Sequence, residues 1–329
     1  MNKKCCFLLL LVVLVLFSVS CVLNENTVIE TVPLHDLENN YEFQIVWDRL
    51  EEYNYKIIGG SGRVIIHGRV NDASLYKLIA LDSSTGNTVW TKSNTIGDVI
   101  IRQDVLYQGT ADIAYVKAFR LIDGDLIWDT RLPWAHSVNM ISTEDNQILI
   151  HTTDSQCFVL NINGEILTQF KETFKVFLKK DNILYMLNGF GIEAMDFSSK
   201  EKIWELEVSR YFSVPVFSDG TLFLKTHTKN GYILAVNPKT GDVNWKVDQN
   251  VLSNLYVTDT KLYFVNKDSE LVVLDKTTGD EISITKFTPT FDLDIQNEEY
   301  YITGDPTNNI LAISFGDNNQ IIGLKILNP

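Results

Sequence analysis

The chain has 329 residues, with 28 Lys+Arg against 42 Asp+Glu and a formal net charge of −14 at pH 7. A composition 45% apolar and 21% charged is that of a folded globular protein and excludes disorder along the whole length. The acidic balance excludes non-specific nucleic-acid binding, which needs basic patches, and 18 Gly with 7 Pro exclude collagen-like or linker sequence.

The first element is an export signal. Lys3 and Lys4 precede an apolar run from Cys5 to Phe17, and small residues follow in Ser18-Val19-Ser20-Cys21. A charged start, a short apolar stretch and a small-residue site mark a segment removed on export, and the run is short for a membrane span. The segment is similar to a bacterial lipoprotein signal, which implies Cys21 as the lipidated first residue of the mature chain. Cleavage without lipid and an uncleaved anchor are the two other readings. Residues 22–42 are polar, lack sustained periodicity and read as a flexible tether. The expected organisation is a signal peptide over 1–20, a tether over 21–42 and a folded domain over 43–327. Of the four cysteines (5, 6, 21 and 157), only Cys157 falls in that domain, so no intrachain disulfide is expected there. Its run Cys157-Phe158-Val159-Leu160 reads as a buried strand.

From residue 43 onward the chain repeats. Ile79-Ala80-Leu81-Asp82-Ser83-Ser84-Thr85-Gly86-Asn87-Thr88-Val89-Trp90 recurs as Leu234-Ala235-Val236-Asn237-Pro238-Lys239-Thr240-Gly241-Asp242-Val243-Asn244-Trp245. A third copy, Val272–Ile282 with Gly279, lacks the Trp. Weaker copies run from Ala118 through Gly124 to Trp128, from Val159 through Gly164 to Ile166, and from Ala194 to Trp204. Leu311-Ala312-Ile313-Ser314 reads as the last, degraded one. Copies anchored at 80, 118, 159, 194, 235, 273 and 312 give a period near 39. Each period holds four short β-type segments; in one they are Phe212–Phe217, Thr221–Thr226, Tyr232–Val236 and Asp242–Lys246, parted by turns such as Ser218-Asp219-Gly220 and Lys229-Asn230-Gly231. Such a period with β-type sequence predicts an all-β, seven-bladed β-propeller of four-stranded antiparallel blades.

The repeat has a mechanical reading. Asp82, Asn237 or Asp275 ends the third strand, where its side chain accepts turn N–H groups. Gly86, Gly124, Gly164, Gly241 and Gly279 supply a positive φ. Ala80 and Ala235 leave room where sheets pack. Trp90, Trp128, Trp204 and Trp245 share one phase and fill the space between blades. Lys200 stands where one copy would have its turn Gly, and Thr168 and Ser283 stand where two would have Trp. Trp47 is in fourth-strand phase, so an N-terminal strand and the C-terminal Gln320–Leu327 compete to complete the last blade.

These segments, "ALDSSTGNTVW" and "AVNPKTGDVNW" above all, resemble the repeat of the PQQ-like β-propeller superfamily over residues 43–327. Part of that superfamily consists of quinoprotein dehydrogenases, for which the resemblance implies pyrroloquinoline quinone, a Ca²⁺ ion and a vicinal disulfide. The only adjacent cysteines here, Cys5 and Cys6, lie in the signal segment, and no Ca²⁺ loop is present. Asp292-Leu293-Asp294 and Asp123-Gly124-Asp125 read as solvated strand and turn, and Gly59-Gly60-Ser61-Gly62 as a turn between two strands. The five histidines (35, 67, 136, 151 and 227) have no ligand spacing, and zinc, hydrolase and phosphate-loop motifs are absent. No catalytic, cofactor or metal residue is expected. With its lipid signal, the chain resembles the propeller lipoprotein of the outer-membrane β-barrel assembly machinery. That resemblance implies a non-catalytic scaffold in the cell envelope, a monomer held to a membrane by its N-terminal lipid and binding protein partners through one propeller face. A small quinone- or ligand-binding propeller is the alternative. Tyr53, Tyr55, Tyr300 and Tyr301 are candidate interface aromatics, or half-buried residues of alternating strands.

Overall fold

The computed structural model describes residues 43–50, 53–70, 76–93, 97–110, 113–144, 146–208, 213–226, 231–286, 300–315 and 320–327. Every regular element among them is a strand, and the strands make seven four-stranded antiparallel sheets. Strand β1 is Phe43–Leu50. Blade 1 is β2 (Tyr53–Gly60), β3 (Arg63–Val70), β4 (Tyr76–Asp82) and β5 (Thr88–Ser93). Blade 2 is β6 (Val99–Arg102), β7 (Val105–Gly109), β8 (Tyr115–Arg120) and β9 (Leu126–Arg131). Blade 3 is β10 (Val138–Glu144), β11 (Gln147–Thr152), β12 (Gln156–Asn161) and β13 (Ile166–Lys171). Blade 4 is β14 (Lys175–Lys180), β15 (Ile183–Leu187), β16 (Gly191–Asp196) and β17 (Lys202–Glu207). Blade 5 is β18 (Val216–Ser218), β19 (Thr221–Lys225), β20 (Tyr232–Val236) and β21 (Val243–Asp248). Blade 6 is β22 (Tyr256–Val257), β23 (Lys261–Val265), β24 (Glu270–Asp275) and β25 (Glu281–Lys286). Blade 7 is β26 (Tyr300–Asp305), β27 (Ile310–Phe315), β28 (Gln320–Ile326) and, outermost, β1.

The first strands of neighbouring blades touch, so they line the axis of the ring. The second and third strands are apolar on both sides because each is covered by a neighbouring blade; Leu222–Lys225 and Ile233–Val236 are buried throughout. Fourth strands form the outer rim and expose most of their side chains, as in β5, β9, β13 and β21. Turns joining first to second and third to fourth strands lie on one face, here the turn face. Loops joining second to third strands, with the links between blades, lie on the other, the connector face.

The last blade corrects the repeat reading. Ala312 lies in β27, the second strand, not the third. The third strand is β28, where Gly323 stands opposite Trp47 of β1, as Ala80 stands opposite Trp90 and Ala235 opposite Trp245. Gln320–Ile326 and β1 therefore do not compete: both enter the blade, and β1 closes it. Gly59 and Gly60 also lie in strand β2, and the turn is Ser61-Gly62, both at positive φ. A Cβ on Gly59 would stand 2.7 Å from the carbonyl oxygen of Gly304, so the bare Gly59 lets the first strands of blades 1 and 7 approach, whereas a Cβ on Gly304 would run into the Tyr256 ring of blade 6.

Candidate functional site

The blade junctions decide which surfaces remain open. At five of them an outer-strand tryptophan lies flat on the third-to-fourth-strand turn of the next blade. A Cβ built on Gly86, Gly124, Gly164, Gly241 or Gly279 would come within 2.7–2.9 Å of the rings of Trp47, Trp90, Trp128, Trp204 and Trp245 respectively. Each indole N–H donates to a carbonyl of the same turn: Trp47 to Ser83 (2.7 Å), Trp90 to Leu121 (2.9 Å), Trp128 to Ile162 (2.9 Å), Trp204 to Pro238 (2.8 Å) and Trp245 to Lys276 (3.1 Å). Asp82 and Asp275 each accept two turn N–H groups and Asn237 accepts one. These residues are consumed by packing and offer no partner a handle.

The histidines are dispersed. His67 faces Tyr76 on blade 1. His151 is buried in β11 opposite Cys157, with neither ring nitrogen hydrogen-bonded. Cys157 is buried as well, and that burial pushes its thiol up to about 12, which makes it inert. Asp123 and Asp125 both pair with Arg120. Among the described residues no three His, Cys, Asp or Glu side chains converge as a metal would need. Among the described residues the side chains do not supply the carboxylates with adjacent cysteines that a quinone site of that type needs. Cys21, the tether, Lys229-Asn230 and Asp292-Leu293-Asp294 lie outside the described residues.

The connector face carries the most exposed large apolar side chain among the described residues. Trp134, in the link from blade 2 to blade 3, is 89% exposed and holds a left-handed φ of 60°. That conformation is costly for a bulky residue and persists only where neighbours enforce it. They do so from both sides. Leu132 N donates to Ala114 O (2.8 Å) and Val138 N to Thr110 O (3.0 Å), pinning the link to blade 2. Thr153 N donates to Ser137 O (3.0 Å), the Ser137 and Thr153 hydroxyls lie 3.0 Å apart, and His136 Nδ1 stands 3.6 Å from Asp154 Oδ2, pinning it to blade 3. Burial pushes the Asp154 carboxyl up, but hydrogen bonds from the Thr152 hydroxyl, its own backbone and His136 outweigh it and hold the group below the usual carboxylate range. Asp154 therefore stays ionised beside His136.

Around Trp134 the same face exposes Ile113 on the blade 2 loop, Phe174 on the link from blade 3 to 4, Phe190 on the blade 4 loop and Val214 on the link from blade 4 to 5. An apolar arc thus spans blades 2 to 5. Next to it, between blades 5 and 6, lies a polar groove of about 540 Å³ lined by Tyr232, Lys246, Asp248, Asn250, Asn266 and Lys267. Sequence reasoning missed Trp134. The available signal was its phase: it is the one Trp outside the repeat register that Trp47 and the four blade tryptophans share. Of the four candidate tyrosines, the side chains of Tyr53 and Tyr55 lie outside the described residues, and the other two serve less well. Tyr300 is buried against Phe315 and the Ser269 hydroxyl, and Tyr301 is half-buried.

Comparison with known proteins places this architecture. The family described as outer membrane protein assembly factor BamB matches residues 56–247 and 181–285, well over half of the chain. The chain belongs to this family. It is 22% identical over 300 residues to BamB of Yersinia pestis, covering 78% of this chain and 74% of that protein. The crystal structure of BamB from Moraxella catarrhalis superimposes with a TM-score of 0.51 at 16% identity, over 87% of this chain and 98% of that one. The Cps50 (Swd1) β-propeller domain of Myceliophteria thermophila reaches 0.62 at 12% identity, over 86% and 99%. Those two likenesses speak to the fold. The matched span, 56–285, holds the five complete turns with their glycines and four of the tryptophans that dock on them.

Proposed function

We propose that this BamB-type propeller is a non-catalytic docking scaffold of the cell envelope, carried on a lipid at Cys21 and engaging protein partners through the exposed apolar side chains of the connector face, Trp134 above all. The braced, exposed indole is the observation that carries the reading. A rigid aromatic anchor loses little conformational entropy on burial, and solvent-exposed apolar arcs of this kind mark interaction sites. The acidic net charge favours a partner surface rich in Lys and Arg, through steering that weakens with salt. The family name and the export signal support an envelope location. The test is recovery of crosslinked partners from membranes. Trp134→Ala with Phe174→Ala is expected to lose the protein recovered by the parent chain while the folded protein is unchanged by circular dichroism. Equal recovery by the double variant would remove this face from the proposal. Labelling with a fatty-acid probe, present in the parent and absent from Cys21→Ser, tests the anchor.

A further inference from the structure

The seven blades are internal controls for one another: blade 7 also carries an apolar pair, Ile45-Val46, before its outer-strand Trp but keeps both half-buried, whereas blades 2 and 3 expose such a pair to water. The two residues before the tryptophan position of each outer strand are Thr88-Val89, Lys202-Ile203, Val243-Asn244 and Glu281-Ile282 in blades 1, 4, 5 and 6, one polar with one apolar each time. In blades 2 and 3 they are Leu126-Ile127 and Ile166-Leu167, and all four side chains are exposed. The adjoining turns add Ile122 and Ile162, 61% and 49% exposed. The two sets meet on one stretch of rim, because the outer strand of blade 2 is seated on the turn of blade 3. Trp128 donates to Ile162 O, and the Thr130 hydroxyl to Gly164 O at 2.7 Å. Where Leu126 and Ile166 stand, blades 1, 4 and 6 place Thr88, Lys202 and Glu281, and where Ile122 and Ile162 stand, blades 1, 4, 5 and 6 place Ser84, Ser198, Lys239 and Thr277, so no packing requirement of the repeat explains these four aliphatic side chains in water.

The surroundings define the occupant. Asp123, Asp125, Asp129 and Glu165 border the stripe and are exposed, Arg120 is taken up by Asp123 and Asp125 at 2.7 and 3.7 Å, and the exposed cations Arg131 and Lys171 stand at the far ends of β9 and β13. An aliphatic stripe edged with carboxylates repels an anionic membrane surface and complements a cationic one. Strands β9 and β13 are the end strands of their sheets, so an extended chain can add to them by main-chain hydrogen bonds. We propose that the outer rim of blades 2 and 3 is a second docking surface, for an extended protein segment alternating aliphatic side chains with Lys or Arg.

The experiment measures fluorescence anisotropy of a labelled alternating lysine–leucine peptide titrated with the full chain, beside a glutamate–leucine peptide of equal length. The lysine peptide is expected to bind and the glutamate peptide not. Leu126→Ser with Leu167→Ser should weaken binding about tenfold or more. Val243→Ser with Ile282→Ser, on blades 5 and 6, should leave it unchanged, and so should Trp134→Ser, which separates this surface from the connector face. Equal loss in all three variants, or no binding by the parent, would overturn the proposal. So would self-association, or binding to phosphatidylcholine vesicles, abolished by the blade 2 and 3 substitutions alone, because the stripe would then belong to a second copy or a lipid surface.

Discussion

At the residue scale, the turn glycines are held by two independent constraints. Gly241 has a φ of 79°, and a Cβ there would stand 2.8 Å from the Trp204 ring, closer than real Cβ atoms come. Gly220 shares the conformation, with a φ of 75°, but faces open space. Gly220→Ala is therefore expected to cost about 1 kcal/mol, the left-handed penalty alone. Gly241→Ala should cost about 2 kcal/mol or more, because the indole must also move; denaturant titration of the two variants separates the terms. His151 makes a second residue-scale prediction. Burial holds its imidazole below the ordinary histidine value, with Lys175 adding to the effect, against the opposing pull of the nearby Glu172 and Phe174 backbone and the Glu172 charge. Folding then favours the neutral ring, so the unfolded chain binds more protons below pH about 6.5. Stability should fall as pH drops through that value and level off once the folded imidazole is protonated. His151→Gln should flatten the dependence in unfolding measured between pH 7.5 and 5, and an unaltered slope would assign it to other groups.

At the element scale, the blade is a matched set of volumes. Where the outer strand carries Trp, its partner across the sheet is Ala or Gly: Ala80, Ala118, Ala194, Ala235 and Gly323. Where it carries Thr168 or Ser283, the partner is Val159 or Val273. The next turn changes in step. Facing Thr168 is the blade 4 turn, with Lys200 at a φ of 62° in place of Gly, its ammonium over the rings of Phe170 and Phe197. Beyond Ser283 is blade 7, where β1 supplies the outer strand and no turn exists to receive an indole. Thr168→Trp alone should destabilise, because Val159 and the Lys200 Cβ occupy the space it needs. Adding Val159→Ala and Lys200→Gly should restore at least what the single change lost, a coupling on the order of 1–3 kcal/mol in chemical denaturation. Additive effects would show that the three positions do not act as one unit.

At the scale of the whole molecule, stability depends on the seam where the two ends of the domain meet. Trp47 is buried between Gly86 and Gly323 and donates to Ser83 O, and Arg49 Nη1 donates to Gly86 O at 2.8 Å. The Ser83 hydroxyl donates to the buried Asp305 carboxylate at 2.6 Å and accepts from Asn308. Asn254 clamps Ile302 through both its N–H and its carbonyl, joining blades 6 and 7. Trp47→Ala should cost about 3–5 kcal/mol, as truncation of a buried aromatic does, and should lower the denaturation midpoint more than Trp128→Ala, whose indole is only half-buried.

The repeat, the strand order within each blade and the turn chemistry were legible in the sequence, because they rest on contacts between residues near in the chain. Asp82 with Ser84 and Thr85, and Gly86 at its turn, are of that kind. The role of each indole was legible as packing, while its particular seat on the next blade's glycine was not. The last blade misled for a physical reason: its third strand carries Gly323 in place of Ala, and its fourth comes from the opposite end of the chain, so no local run spells the motif. Trp134 and the rim of blades 2 and 3 were equally hidden, since exposure is a property of what surrounds a side chain. Local backbone chemistry and a repeated volume pattern thus settled that this chain makes blades. Closing them into a ring decided which aromatics are spent on the seams and which are left facing water.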